Sequence, residues 1–431
     1  MIHNNISVLP NGHIAFSNTD VVELANEYGT PLYLLDEKQI RENCRIYKNT
    51  VTEFFGDESM PLYASKALCC KEIYRIVSQE GLGVDVVSGG ELYTALSVGF
   101  PSHKIYFHGN NKTDEEIIYA LNNDIGAFVV DNFEELAFVN EQAEKLNKVQ
   151  NILLRLSPGI DPHTHRAVVT GNVDSKFGVA IETGQAIDFV KKALECKNVN
   201  LEGIHCHIGS QIFDKYPFVD SASIMLDFVL EVKNNLGFTF KKVNLGGGIG
   251  VRYVEEDPEM DIYGIMGEIK NELDKLVLER GLEKPIFLFE MGRFICANAG
   301  MTLYTVGSVK EIKGYKRYVC IDGGMPDNPR YALYGSKYTV YNASRCDREF
   351  NTVASIAGRC CESGDLIGED MNLQEFNRGD IMAVAVTGAY NYSMSSNYNR
   401  IPKPAMVSVN NGASKLIIKR QSYEDILKNE I

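Results

Sequence analysis

From residue 61 to residue 293 the chain repeats one pattern. A short apolar run is followed by a longer stretch whose apolar residues recur every third or fourth position. The runs are "PLYASK" (61–66), "GVDVVS" (83–88), "KIYFHG" (104–109), "GAFVVDN" (126–132), "NILLRLSP" (151–158), "LEGIHCHIG" (201–209), "KKVNLGGG" (241–248) and "IFLFEMGR" (286–293). The stretches between them, such as "KEIYRIVSQE", "ELYTALSVGF", "TDEEIIYALNN" and "FEELAFVNEQAEKLN", carry the helical period. Eight alternating units predict a closed (β/α)8 barrel of the TIM type. An open doubly wound sheet also alternates β and α, but it gathers its chemistry at one switch point. Here nearly every run ends in something polar or small: Lys66, Asp85, His108, Asp131, Arg155, His207, the Gly246-Gly247-Gly248 turn and Glu290. That spread favours the barrel, whose chemistry sits at the C-terminal ends of its strands.

Past about residue 295 the pattern changes. "TLYTVGSVKEI", "YKRYVCIDG", "FNTVASIAG", "DIMAVAVTGAY", "AMVSVNNG" and "SKLIIKR" are β-rich runs punctuated by Gly, Asn and Asp. They predict a second, all-β domain, a β-barrel or β-sandwich. "HIAFSN" near the N-terminus is expected to pair with it. The reading is α/β plus all-β: a barrel over 36–295 and a β domain over 1–35 and 296–431.

The 431 residues suffice for two domains. A net charge of −14 argues against nucleic acid as a partner, since phosphate binding needs a basic face. No apolar run reaches membrane-spanning length, and "MIHNNISVLPNGHIAF" lacks the basic start and apolar core of a signal peptide. The ten cysteines form neither a CxxC array nor a regular disulfide framework. Reduced thiols in the cytoplasm are the expectation.

Lys66 at a strand tip is either a solvated strand end or a reactive amine. "LGGGIG" (245–250) is either a tight turn or a phosphate cradle, and it lacks the Gly-Lys-Ser/Thr ending of a P-loop. The two histidines of "HCHIGSQ" (205–211) fall on one side of a strand. They are a metal pair, satisfied core residues, or a flat ring that stacks on a flat cofactor. No Cys or His cluster clearly completes a zinc site, so no metal is expected. Glu290 and Arg293 in "FEMGRF" could pair locally. Cys361 in "GRCCESGD" is either a structural thiol or a proton donor. A lysine for a Schiff base, a glycine turn for a phosphate, a histidine to stack and an acid for a ring nitrogen are together the parts of a pyridoxal phosphate site.

At this point a resemblance takes over. The ordered motifs "YASKA", "GVDVVSGGEL", "HGNNKT", "SKFG", "GIHCHIGSQI", "NLGGGIG", "EMGR", "DGGMPDNPRYALY", "CESGD" and "GAYNYSMSSNYN" span nearly the whole chain. The chain resembles the fold type III, alanine-racemase-like pyridoxal phosphate decarboxylases, and within them the diaminopimelate decarboxylase branch. The resemblance implies Lys66 as the covalent anchor of pyridoxal 5'-phosphate, His207 stacked on its ring and Glu290 on its ring nitrogen. It places Ser210, Gly246, Gly247, Gly248, Gly292, Arg293 and Tyr390 around the phosphate, and Asp85, Glu91 and Arg155 in the polar shell. On the substrate side it implies Arg293, Arg330, Tyr334 and Tyr390 at the distal end, with Arg293, Arg330 and Tyr334 on the carboxylate. Glu362 would take the distal ammonium and Cys361 would be the proton donor. The "CES" loop would reach in from a partner subunit, making a homodimer with shared sites.

Two positions depart from the family's usual pattern. Met291 stands where Glu-Pro-Gly-Arg has proline, and Tyr331 stands where "NPRPALY" has proline; the charged residues remain. The expected reaction is decarboxylation of meso-2,6-diaminopimelate to L-lysine, the last step of lysine biosynthesis. The rivals are a sister enzyme acting on ornithine, arginine, D-lysine or a carboxynorspermidine-like substrate, a non-catalytic homologue, and a racemase. Arginine suits a distal carboxylate, whereas a simple diamine product calls for an acid.

Overall fold

The computed structural model describes residues 1–160 and 174–431. These divide into two compact units, Met1–Asn43 with Val251–Glu259 and Phe294–Ile431, and Cys44–Gly250 with Met260–Arg293.

The second unit is the barrel. Its strands are β1 (Pro61–Ala64), β2 (Gly83–Val86), β3 (Ile105–Phe107), β4 (Ala127–Val130), β5 (Gln150–Ser157), β6 (Val199–His205), β7 (Lys242–Asn244) and β8 (Ile286–Glu290). Each pairs in parallel with the next, and Phe289 and Glu290 of β8 pair with Pro61 and Leu62 of β1, which closes the sheet. The closure gains one bond beyond β8, from the N–H of Met291 to the carbonyl of Leu62 (3.0 Å). A proline at 291 could not donate it.

Alternating side chains fill the barrel. Leu62, Tyr106, Ala127, Val129, Leu153 and Leu288 form one fully buried cluster, with Met60 and Ile286 against it. Each large member contributes roughly 1.5–3 kcal/mol by leaving water. The helices turn apolar faces inward. Lys71–Gln79, for one, buries Ile73, Tyr74, Ile76 and Val77. Thr113 and Glu116 cap Asp114–Asn122 reciprocally, which the "TDEE" string foreshadows. This frame leaves the C-terminal strand ends free to carry polar groups.

The first unit is mostly β. Its long strand Gly300–Ile312 runs antiparallel to Lys316–Ile321, Ile381–Ala385 and Leu32–Asp36. Ala405–Asn410 lies parallel to Leu32–Asp36, and Phe350–Ala357 bridges Lys316–Ile321 and Leu366–Gln374. The pairing expected of "HIAFSN" needs correction. Ile14–Phe16 joins a separate three-stranded sheet with Ile6–Val8 and Thr19–Asp20. Its links to the C-terminal part include the Ile14 N–H to Ala343 O (3.0 Å) and the Gly412 N–H to Ser17 O (3.3 Å). The strand that enters the large sheet is Leu32–Asp36.

Candidate active site

β1 ends at Ala64, and a 3-10 turn, Ser65–Ala67, carries Lys66 out of the barrel. Ser65 fastens that turn to the end of β2. Its N–H donates to Asp85 Oδ1 (3.3 Å) and its hydroxyl to the Asp85 carbonyl. Gly292, just past β8, permits the close fit: a Cβ there would lie 2.9 Å from the Cβ of Ala64 and 3.0 Å from that of Ala67.

Lys66, Asp85, Arg155, His207 and Glu290 line one cavity of about 310 Å³, together with His108, His205 and Phe177. Five sequence-expected residues from five different strand ends thus converge. Glu91 stands beside them. It accepts from the Val87 N–H (2.8 Å), and burial pushes its carboxyl up to about 7, against the pull of that bond and of Lys66. Arg155 is buried, with its guanidinium 4.3 Å from the Phe177 ring centroid and its Nε 3.9 Å from Asp131 Oδ1.

The glycine turn brings β7 and β8 together. Gly246 (φ +68°) and Gly248 (φ +122°) adopt backbone that L side chains rarely take, and a Cβ on Gly247 would sit 1.9 Å from the Glu290 carbonyl. Gly246 N–H donates to Asn244 Oδ1 (2.9 Å) and Gly247 N–H to His207 Nδ1 (3.3 Å), which leaves Gly248 as the turn's remaining donor. Arg293 Nη2 donates to Ser210 Oγ (2.9 Å). Gly248, Ser210 and Arg293 therefore make a cationic, donor-rich corner that suits a phosphate.

The Glu290 carboxylate faces Asn244, His108 and His205. Oε1 accepts from Asn244 Nδ2 (2.7 Å) and lies 3.1 Å from His108 Nε2, and Oε2 lies 3.3 Å from His205 Nε2. Burial by itself raises this carboxyl, but Glu290 lies well below its ordinary value, the N–H groups of Asn244 and His205 favouring its ionised form. Asp85 moves the other way, raised by burial and then by repulsion from Glu290. One carboxyl of the cavity is thus kept ionised and the other is pushed towards its neutral form. Burial lowers all three histidines, His205 to about 4.

Asn244 had no part in the sequence reading, and His108 and His205 entered it only as a strand-end residue and as one of a histidine pair of open role. Their signal was present, since each lies at or next to a strand end, but their shared target, Glu290, is distant in the chain. His205 gains neighbours in His108 and Glu290, with side-chain atoms within 4.8 Å of one another, but the Glu290 carboxylate already accepts from Asn244 and His205, so the trio reads as a hydrogen-bonded acid.

The remaining expected residues lie in the first unit. Arg330 is buried, and its guanidinium lies 5.1 Å from the Tyr334 ring and 5.0 Å from the Tyr390 ring. Its Nε has no hydrogen-bond partner among the described residues. Tyr390 thus keeps company with Arg330. Cys361 and Glu362 are exposed, in the loop between Phe350–Ala357 and Leu366–Gln374. The Asp365 carboxylate anchors that loop, accepting from Cys360 N–H (2.7 Å) and Met325 N–H (2.6 Å). Tyr331 donates to Glu369 Oε2 (2.9 Å).

A lysine on a strand-end turn, a histidine and an acid around one cavity, with a separate donor-rich corner at Gly248, Ser210 and Arg293, are the parts that a barrel-type pyridoxal phosphate enzyme needs. The pyridoxal-dependent decarboxylase family, through its pyridoxal binding domain, matches residues 37–297. A diaminopimelate decarboxylase of Bacillus methanolicus is 46% identical over 97% of both chains, and one of Bacillus subtilis is 43% identical over 100% of this chain and 98% of its own. A crystal structure of diaminopimelate decarboxylase from M. jannaschii, in complex with L-lysine, superposes with a TM-score of 0.90 at 36% identity, covering 100% of this chain and 98% of the other. The chain belongs to the diaminopimelate decarboxylase family. It is a pyridoxal 5'-phosphate-dependent carboxy-lyase.

Proposed function

We propose that Lys66 anchors the cofactor in the 310 Å³ cavity, that His207 lies flat against its ring, and that Glu290 meets its ring nitrogen. Gly248, Ser210 and Arg293 take the phosphate, and Asp85, Glu91 and Arg155 hold the surrounding shell. The enzyme removes one carboxylate of meso-2,6-diaminopimelate, at the D-centre, and releases L-lysine and carbon dioxide, the last step of lysine biosynthesis. Bound pyridoxal phosphate supplies the sink for the electron pair left when carbon dioxide departs. Cys361 Sγ–H then donates its proton to that carbon.

Arg330 carries the substrate assignment. It is a buried cation with an unmet Nε donor, flanked by Tyr334 and Tyr390. A fork in that state calls for a carboxylate, and the distal carboxylate is what separates diaminopimelate from lysine, ornithine and arginine. Glu362 takes the distal ammonium. The exposed Cys361 and Glu362 fit a loop that completes the site of a second copy, so the working unit is a homodimer with shared sites. Ten free cysteines fit a cytoplasmic enzyme. No helix among the described residues is long and apolar enough to cross a membrane.

Borohydride reduction of the holoenzyme, digestion and mass spectrometry test the anchor. The cofactor mass is expected on the peptide containing Lys66. Its appearance on another lysine would overturn the site. Mixing Lys66→Ala with Cys361→Ala protein tests sharing: activity returns if each subunit lends its loop to the other, and stays absent if each site is built from one chain.

A further inference from the structure

Glu290 is an acid without a cationic side chain bonded to its carboxylate in the described geometry, yet it is buried and held ionised. A buried carboxylate of that kind needs hydrogen bonds on most of its lone pairs. Asn244 Nδ2 reaches Oε1 at 2.7 Å and His205 Nε2 reaches Oε2 at 3.3 Å, while His108 Nε2 lies 3.1 Å from Oε1 without hydrogen-bond geometry. Oε2 keeps only the longer of the two bonds, so it is the oxygen with capacity to spare.

The Asn244 amide has its orientation set from the other side. Its Oδ1 accepts from the Gly246 N–H at 2.9 Å, so its Nδ2 must face Glu290. The Gly246 carbonyl in turn accepts from the Glu290 N–H at 2.9 Å. The glycine turn and the acid are therefore locked to each other through Asn244.

The donors are also of the right charge. Burial holds His205 and His108 in their neutral forms near neutral pH. Neutral N–H groups stabilise an anion without cancelling it. The group of four keeps a net charge of −1, which is what a protonated ring nitrogen needs opposite it. A histidinium in the same place would leave nothing to match.

We propose that Asn244 and His205 are positioning residues that keep Glu290 anionic and aimed, and through it keep the ring nitrogen of bound pyridoxal phosphate protonated. This rests on the reading that Glu290 meets that nitrogen. Residues that orient a key ligand-contacting group typically account for about ten- to a hundredfold in activity.

The test uses holoenzyme loaded with pyridoxal phosphate labelled with nitrogen-15 in the ring. Nitrogen NMR reads the ring protonation, alongside cofactor affinity, kcat and KM. Glu290→Gln is the reference, and the variants are His205→Leu, His205→Gln and Asn244→Asp. Asn244→Asp keeps the acceptor for Gly246 and puts a carboxyl where the amide donor was.

His205→Leu and Asn244→Asp are expected to move the ring resonance towards neutral pyridine and to lower kcat about ten- to a hundredfold. His205→Gln restores an N–H donor and should recover most of both. A ring resonance that stays at the protonated position in His205→Leu and Asn244→Asp, while Glu290→Gln moves it, overturns the positioning role alone. An unmoved resonance in Glu290→Gln overturns the assignment of Glu290 itself. If His205→Leu does not fold, Asn244→Asp against wild type decides the question.

Discussion

The backbone N–H of Gly247 points at Nδ1 of His207 across 3.3 Å. Nδ1 must then be the acceptor, and the proton of the neutral ring sits on Nε2. Burial, aided by the nearby cations Lys66 and Arg155, holds this histidine well below its ordinary pKa, so the ring stays neutral. A neutral flat ring stacks; a desolvated imidazolium would repel a neighbouring cation. His207→Phe should therefore keep most of the stacking, weakening cofactor binding by less than about tenfold, while His207→Ala weakens it by more, about 1–3 kcal/mol for a lost stacked ring. Fluorescence titration of the apoenzyme with pyridoxal phosphate measures both. Equal losses would show that stacking is not what His207 contributes.

His205 makes stability depend on pH in a defined direction. Burial lowers its pKa to about 4, so between that value and its unfolded value of about 6.5 the unfolded chain binds the extra proton. The neutral, folded form is favoured above that window, and the advantage is lost as pH falls through it. His205→Gln removes the titration. The stability gap between wild type and His205→Gln should shrink by about 2 kcal/mol from pH 7 to pH 5. Urea unfolding at the two pH values gives the number, and an unchanged gap would contradict a neutral buried His205.

Arg330→Lys keeps the charge and loses the planar fork held between Tyr334 and Tyr390. Lysine cannot offer two parallel donors to a carboxylate. The expected loss is about ten- to a hundredfold in kcat/KM for diaminopimelate, mostly as a raised KM, corresponding to roughly 1.5–3 kcal/mol for a charged hydrogen bond. Cofactor absorbance should not change. A pure kcat effect would place Arg330 at the reacting centre instead.

Cys361 is the expected proton donor, and its exposure means that its removal costs little packing. Cys361→Ala should lower kcat about a hundred- to ten-thousandfold, the usual range for a positioned acid, with thermal stability and cofactor binding unchanged. Solvent deuterium content at the lysine ε-carbon, the former D-centre, followed by mass spectrometry, reports protonation at that carbon. A fall of less than threefold would assign the step to another group.

Much of the barrel was legible because its information is local. β1 to β8 each announce themselves by an apolar run, and the polar residue at the tip follows from where barrel strands end. Lys66, Asp85, Arg155, His207 and Glu290 could be collected on that ground, and they do line one cavity. What was not legible is non-local. Leu32–Asp36 gains its place from partners at 300–303 and 405–409, and nothing in "LYLLD" states them. The same holds for Asn244 and His108, whose meaning lies in the shared carboxylate of Glu290. Arg330 and Tyr334 came from resemblance. The approach of Arg330 to Tyr390 needed two distant segments to fold together. Met291 shows the reverse case: a departure from the family's proline that the structure turns into a backbone donor to Leu62.

The most direct measurement of the whole account is carbon dioxide release by the purified holoenzyme from meso-diaminopimelate, L-lysine, D-lysine, L-ornithine and L-arginine at matched concentration. Release from diaminopimelate alone, with lysine formed in equal amount, is the expected result and follows from a distal carboxylate bound at Arg330. Faster release from any of the substrates that lack that carboxylate would contradict it.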